Sequence, residues 1–284
     1  MSQPGVKSEL GLSKEEPTPQ VQRVDVAIAI DATASMGNEL QAAANKVTDV
    51  FNLLQEQHPE KKFRLGLVAY RDYSDNERFV IQDFTSDIYA VQEQISGLRA
   101  LGGGDSAEDV AGALQKLNGL SWNADICQVL FVTDAPAHGL AYHVPHLSDD
   151  HPDGDKDGIN PEEQMALLAS KNIGFTFFRM NSKTDIMSTK FQAAYQTRRV
   201  PGSKANFILA DVEEQLIKAK ESLRALSFRE YGASLFRRDF GEYATIEVDR
   251  SAGSFSMAPA AIEASPSDAA FSEQLLAAVS SQLL

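Results

Sequence analysis

Asp31, Thr33 and Ser35 place one carboxylate and two hydroxyls at alternate positions, directly after the apolar run Val24-Asp25-Val26-Ala27-Ile28-Ala29-Ile30 and ahead of Gly37. On one tight turn this spacing presents three oxygens to a single point. Hard divalent cations take oxygen ligands, and Mg²⁺ is typically held by one or two carboxylates while keeping several waters. Thr33 and Ser35 suit a second role equally well, as caps of a following helix. A third chemistry, in which Asp31 becomes an aspartyl-phosphate, calls for a general acid two residues on, and that position holds Thr33.

The apolar run reads as a strand over about 23–31 that is buried on both faces, as in parallel sheets. Asp31 then stands at its carboxyl end, the edge where open α/β sheets bind ligands. Met36 to Gln57 carries Leu40, Ala43, Ala44, Val47, Val50, Phe51 and Leu54 at helical spacing. His58-Pro59 ends that helix. Phe63–Tyr70 is a second buried strand, and a short turn at Arg71–Asn76 joins it to an edge strand, Arg78–Phe84, close enough for an antiparallel pair. Asp87 begins a helix. Gly102-Gly103-Gly104 breaks the chain, and Asp105-Ser106 precede a further helix with Val110, Ala113, Leu114 and Leu117. Ile126–Thr133 is another apolar strand that ends in a carboxylate, Asp134. A long loop follows to Asn160, and Pro161 opens a helix at its favoured first position. A strand at Phe175–Phe178, a helix over Thr184–Gln196, a strand at Asn206–Ala210 and a helix from Asp211 to about Leu226 complete the alternation. Alternating strands and helices predict a mostly parallel sheet covered by helices on both faces.

The chain has 284 residues and a net charge of −14, which excludes nucleic acid and anionic membrane as main partners and suits cations. A single cysteine, Cys127, rules out an intramolecular disulfide and points to a reducing, cytoplasmic setting. Neither a basic-then-apolar leader nor an apolar run of bilayer length is present, so no membrane span is expected. Residues 1–20 read as a disordered tail, 21–227 as the folded domain and 228–284 as an extension of weak signal with a short amphipathic segment around Phe271–Leu283.

Two features of the long loop invite metal chemistry. Asp153-Gly154-Asp155-Lys156-Asp157-Gly158 imitates the start of an EF-hand, but position twelve is Gln164 where a bidentate Glu is required. A calcium-stiffened loop of another kind and a solvated acidic turn both remain open. His138, His143, His146 and His151 crowd the same loop without a nearby cysteine; loop histidines are usually solvated or bonded to backbone, and zinc would need three or four well-placed ligands.

Asp31-x-Thr33-x-Ser35 resembles the first loop of the metal-ion-dependent adhesion site of von Willebrand factor A domains, with Thr33 in place of the usual Ser. Val129-Leu130-Phe131-Val132-Thr133-Asp134 resembles the third loop of that site. The second loop of most A domains carries Thr in a Gly-Gly-Thr context; here the count back from Ala113-Leu114 puts Glu108 at that place, as in the Asp-x-x-Glu loop of integrin β subunits. The alternative role for Asp105 and Glu108 is to cap the next helix. Val68-Ala69-Tyr70-Arg71-Asp72-Tyr73, the Gly103–Gly112 stretch, Asp134-Ala135-Pro136-Ala137-His138-Gly139 and Pro152-Asp153-Gly154-Asp155 are similar to the A domains that accompany alpha-type protein kinases. That similarity runs from about Val24 to Leu226 and does not extend to a kinase; no nucleotide-binding Gly loop with a Lys partner is found.

The resemblance implies a three-layer, Rossmann-like von Willebrand factor A fold with a mostly parallel central sheet and one antiparallel edge strand. It implies a metal site of Asp31, Thr33, Ser35, Glu108 and Asp134, with Asp105 as an adjacent ligand, and Mg²⁺ as the ion, Mn²⁺ or Ca²⁺ being alternatives. The expected function is a non-enzymatic adaptor that binds a protein partner through an acidic side chain on the metal. An accessory role in a kinase-type complex and a metal-assisted hydrolase are the rival readings. Arg71 and Asp72 are left with two roles, a structural pair or part of the partner surface.

Overall fold

The computed structural model describes residues 21–211. The tail 1–20, the helix expected after Asp211 and the extension 228–284 lie outside the described residues, as do the side chains of Ala44 and Val50.

Six strands form one sheet: β1 (Gln22–Asp31), β2 (Lys61–Tyr70), β3 (Phe79–Thr85), β4 (Ile126–Thr133), β5 (Ile173–Arg179) and β6 (Phe207–Asp211). Their order is β3-β2-β1-β4-β5-β6. Only β3 runs antiparallel, paired with β2 at the edge; the other pairs are parallel. The helices are α1 (Gly37–Gln57), α2 (Ile88–Gly97), α3 (Val110–Asn118), α4 (Pro161–Ser170) and α5 (Asp185–Thr197). Every expected element within the described residues is present, with ends displaced by a few residues at most.

The alternation of β1 sets the layers. Val24, Val26, Ile28 and Ile30 face one side, where Leu40, Val47, Phe51 and Leu54 of α1 and Ile88, Val91 and Ile95 of α2 pack on them. Ala27 and Ala29 face the other, and their small side chains leave room for aromatic rings from neighbouring strands. Tyr70 stacks on Phe131 at 5.9 Å, and Phe131 meets Phe175 and Phe177 at 5.5 and 5.6 Å. Helices α3, α4 and α5 close that layer through Leu114, Leu117, Met165, Leu168, Phe191 and Tyr195. Each such buried side chain contributes about 1.5–3 kcal/mol before conformational entropy is subtracted.

Two details of this scaffold bear on the site. The central neighbours are β1 and β4. Their crossovers leave in opposite directions along the sheet, so a crevice opens at their carboxyl ends, where doubly wound sheets bind ligands. The start of α3 is fixed by Asp109, whose carboxylate accepts the Gly112 amide at 2.8 Å and the Arg78 guanidinium at 2.6 Å. A methyl group on Gly112 would stand 2.5 Å from that carboxylate and 2.6 Å from the Phe79 ring. Asp109→Ala removes a cap and an ion pair together; a loss of about 1–2 kcal/mol, measured as a lower urea midpoint at unchanged slope, is expected.

Candidate metal centre

Asp31 ends β1 and is fully buried. Its Oδ1 accepts the Thr33 amide at 2.9 Å and the Thr33 hydroxyl at 2.7 Å, while Thr133 Oγ1, at the end of β4, stands 3.2 Å from its Oδ2. Ser35 Oγ lies 3.5 Å from Thr33 Oγ1 and donates to Asp134 Oδ1 at 2.9 Å. One continuous run of polar contacts therefore joins Asp31, Thr33, Ser35 and Asp134 across the crevice. Neither Thr33 nor Ser35 caps a helix: the short 3₁₀ turn Ala34–Met36 that leads into α1 has no side-chain cap bond at Thr33. The hydroxyls are turned to carboxylates instead.

Glu108 comes in from the second loop. It is 3% exposed, and its Oε2 is shielded from water without a hydrogen-bond partner. Gly103 provides the space: with φ +80, it has no side chain where a methyl would lie 3.1 Å from Glu108 Oε1 and 3.5 Å from Thr33 Cβ. Gly102, at φ +87, is equally constrained, since a methyl there would fall on the Asp75 carboxylate. Asp75 in turn accepts the Gly103 and Asp72 amides. The parallel bridge between Glu108 and Ala137, with the Glu108 amide on Pro136 O at 2.9 Å, ties the second loop to the third.

The electrostatics follow from this crowding. Burial raises the Asp31 pKa to about 7 against the pull of the Thr33 hydrogen bonds, and the charge of Asp134 adds to the rise. Burial, then the charges of Asp31, Asp72, Asp75 and Asp105, push Glu108 up to about 10. A pocket that resists ionisation of its own carboxylates is one that a cation would relieve.

The cap role expected as the alternative for Asp105 and Glu108 is filled by Asp109. The Glu108 carboxylate accepts no amide, and Asp105 accepts the Asp150 amide across the long loop. Asp105 lies with Asp72 and His138; one ligand atom from each falls within 4.8 Å of the others. Among the described residues this is the grouping of carboxylates and imidazole that meets that spacing, and it does not include Asp31, Glu108 or Asp134. Of the five expected ligands, Asp31, Thr33, Ser35 and Asp134 are linked as a chain of contacts, and Glu108 stands beside Thr33 without a hydrogen bond to any of them.

The long loop departs most from expectation. His138 and His143 are buried, not solvated, and of the two His143 keeps the expected backbone contact, Nδ1 to Val144 O at 3.0 Å. Asp149 gathers them: its oxygens meet His138 Nδ1 at 2.7 Å and His143 Nε2 at 2.9 Å and accept the Gly139 and His151 amides. His138 Nε2 meets Asp72 Oδ1 at 2.8 Å, and its ring stacks on Tyr73. Burial alone would lower the His138 pKa, but Asp72 and Asp149 outweigh it and raise it to about 9. Burial would raise Asp149, but its hydrogen bonds with His138 and His143 and from the two amides bring it down to about 2. The acidic turn is likewise committed to protein donors. Asp155 accepts the Tyr73 hydroxyl and the Asp157 and Ile159 amides, and Asp157 pairs with Arg78 at 2.7 Å. Arg71 and Asp72 are not a pair. The Arg71 guanidinium donates to the carbonyls of Ala32, Glu77 and Arg99, whereas Asp72 turns to His138. Asp72, Asp75 and Asp149 were not expected as site-building residues; Asp149 in particular lies in a polar loop with no periodicity to mark it.

A profile of the von Willebrand factor type A domain matches residues 26–137, the span that holds all three loops. Alpha-protein kinase vwkA of Dictyostelium discoideum is 27% identical over 162 residues, covering 56% of this chain and 26% of that protein. A putative ariadne-like RING finger protein, R811 of Acanthamoeba polyphaga mimivirus, is 33% identical over 121 residues, 40% of this chain and 11% of that protein. The chain thus spans a small part of the length of either relative. Among solved structures, the VWA domain of SpRpn10 superposes with a TM-score of 0.40 at 14% identity, over 67% of this chain and 88% of that one. The profile match, the single antiparallel edge strand and the strand-end carboxylates coincide, and the chain contains a von Willebrand factor type A domain.

Proposed function

We propose that this chain is a non-catalytic protein-binding module whose attachment runs through a divalent cation, Mg²⁺ first and Mn²⁺ or Ca²⁺ as alternatives. Asp31, Thr33, Ser35, Glu108 and Asp134 would hold the ion, with the partner offering an acidic side chain to it. The observation that carries this reading is Glu108: a carboxylate inside the protein with Oε2 unpaired, beside Thr33 in the space that Gly103 leaves by having no side chain. A buried carboxylate without a donor costs stability unless a cation compensates it. The hydroxyl-and-carboxylate donor set is all oxygen, as Mg²⁺ and Ca²⁺ require. Loops on a rigid scaffold carry specificity, so the turn at Arg71–Asn76 and the Pro136–Asn160 loop are the surfaces that would select the partner.

Mg²⁺ should raise the melting temperature of the EDTA-treated protein. A hundredfold excess over its dissociation constant adds about 2.7 kcal/mol. Asp31→Ala should abolish that rise; an equal rise in both proteins sinks the site. Capture of the partner from a lysate should be lost in EDTA and restored by Mg²⁺, and capture that persists unchanged in EDTA is incompatible with the mechanism.

The similarity to an alpha-protein kinase favours a second reading, an accessory part of a kinase-type complex. On either reading the purified chain should transfer no phosphate from ATP to protein. Metal-assisted hydrolysis is the third possibility, which turnover of generic phosphate esters would reveal.

A further inference from the structure

We infer that Asp72, Asp105 and His138 form a second cation site, suited to a transition metal of the Zn²⁺ class. The three come from separate parts of the chain, the turn after β2, the Gly-rich loop and the long loop, and their ligand atoms lie within 4.8 Å of one another. An imidazole and two carboxylates around one Zn²⁺ stand about 3.3 Å apart at ordinary metal–ligand distances, so modest side-chain movement completes the set. Imidazole in the donor set favours Zn²⁺ over Mg²⁺ or Ca²⁺.

The surroundings match what a metal-bound histidine needs. Asp149 engages Nδ1 of His138, which leaves Nε2 as the nitrogen that can face a metal. Asp149 is itself held by His143 and by two backbone amides, so the imidazole is fixed in place before any ion arrives. One ligand atom of the set has no partner of its own: Asp105 Oδ1 is shielded from water and unbonded, since the Asp150 amide takes Oδ2. In the absence of metal, the hydrogen between His138 Nε2 and Asp72 Oδ1 holds the cluster together. On binding, that proton leaves to solvent and the metal takes its place between the same two atoms. None of the three ligands belongs to the set proposed for Mg²⁺, so either site can fail without the other.

The test uses the full chain, stripped with EDTA, and the metal alone as probe. Zn²⁺ is titrated calorimetrically, and Co²⁺ is added to read visible absorption bands of a low-coordinate site. The wild type and Asp31→Ala should each bind one equivalent of Zn²⁺ at this site and show the Co²⁺ bands. His138→Gln and Asp105→Asn should lose at least a hundredfold in Zn²⁺ affinity and lose the bands, and Asp149→Asn should lose about 10–100-fold. Asp105→Asn gives up no core packing, and circular dichroism establishes that it folds. It should keep the melting-temperature rise on Mg²⁺ that Asp31→Ala loses, which separates the two sites. Undiminished Zn²⁺ binding in both His138→Gln and Asp105→Asn, or no Zn²⁺ binding by the wild type at tens of micromolar, overturns the proposal.

Discussion

Arg71→Met is expected to destabilise the domain by about 3 kcal/mol or more. The Arg71 side chain is 3% exposed, and its guanidinium donates to Ala32 O at 3.2 Å, Glu77 O at 2.8 Å and Arg99 O at 2.8 Å. These carbonyls belong to the turn after Asp31, the β2–β3 connection and the segment leading to Gly102. Three pieces of the crevice wall are therefore pinned by one planar fork of donors. Methionine fills the volume but leaves the acceptors unpaired, at about 1–3 kcal/mol for each one that water cannot reach. A drop of roughly 6–12 °C in melting temperature corresponds to 3 kcal/mol in a domain of this size. Arg71→Lys keeps the charge yet cannot reach all three carbonyls, so it should fall between the two. Because Ala32 and the Gly-rich loop flank the proposed ligands, the Mg²⁺-dependent rise should weaken in Arg71→Met as well. A loss below about 1 kcal/mol in urea unfolding would show that the three contacts are dispensable.

In EDTA the wild type should lose stability as pH rises from about 5 to 9; Glu108→Gln should remove about half of that slope, because Asp31 and His138, the latter raised from 6.5 to about 9, also keep protons that the unfolded chain releases. Folding raises Glu108 from 4.5 to about 10 and Asp31 from 3.8 to about 7, chiefly through burial. Over that interval the folded state keeps protons that the unfolded chain has released. The unfolded state binds fewer protons, so the derivative of stability with pH is negative. One such group gives a slope of up to about 1.4 kcal/mol per pH unit while it differs fully between the two states. Below pH 4 the sign reverses for Asp149, whose pKa is held near 2 and whose contribution is lost as it protonates. Mg²⁺ requires ionised carboxylates, so its stabilisation should grow with pH and oppose the loss. Glu108→Thr goes further: it removes one of three carboxylates that would otherwise leave a Mg²⁺ site with a net negative charge. It should retain metal and bind an acidic peptide more tightly. Loss of Mg²⁺ binding in Glu108→Thr, measured by calorimetry, would show that Glu108 is indispensable and that the charge argument is wrong. A flat pH profile in wild-type protein would mean that Glu108 reaches solvent.

The element types, the helices on both faces and the mostly parallel sheet were legible in the sequence; the strand order was not. Valine and isoleucine alternating with alanine in β1, helical spacing in α1 to α5 and short connections between β2 and β3 are local signals, and local signals suffice for an alternating α/β sheet. Asp31 and Asp134 were legible for the same reason: a carboxylate that closes an apolar strand must lie at the sheet edge. The strand order of the folded chain makes the two neighbours. Glu108 was reached through resemblance, because nothing in Gly104–Asp109 distinguishes a buried carboxylate from a helix cap. Tertiary structure decided that Asp109 takes the cap. It also decided everything in the long loop. Whether a loop histidine is solvated or buried depends on how the loop closes and on what the fold brings against it: Asp149 from the same loop for His138 and His143, and for His138 also Asp72, 66 positions away. The same holds for Arg71, whose three carbonyl acceptors come from separate loops, so its role as a pin rather than a partner of Asp72 has no signature in sequence. Polar residues in loops carry no periodicity, and only the closed chain brings together the donors and acceptors that give each one its function.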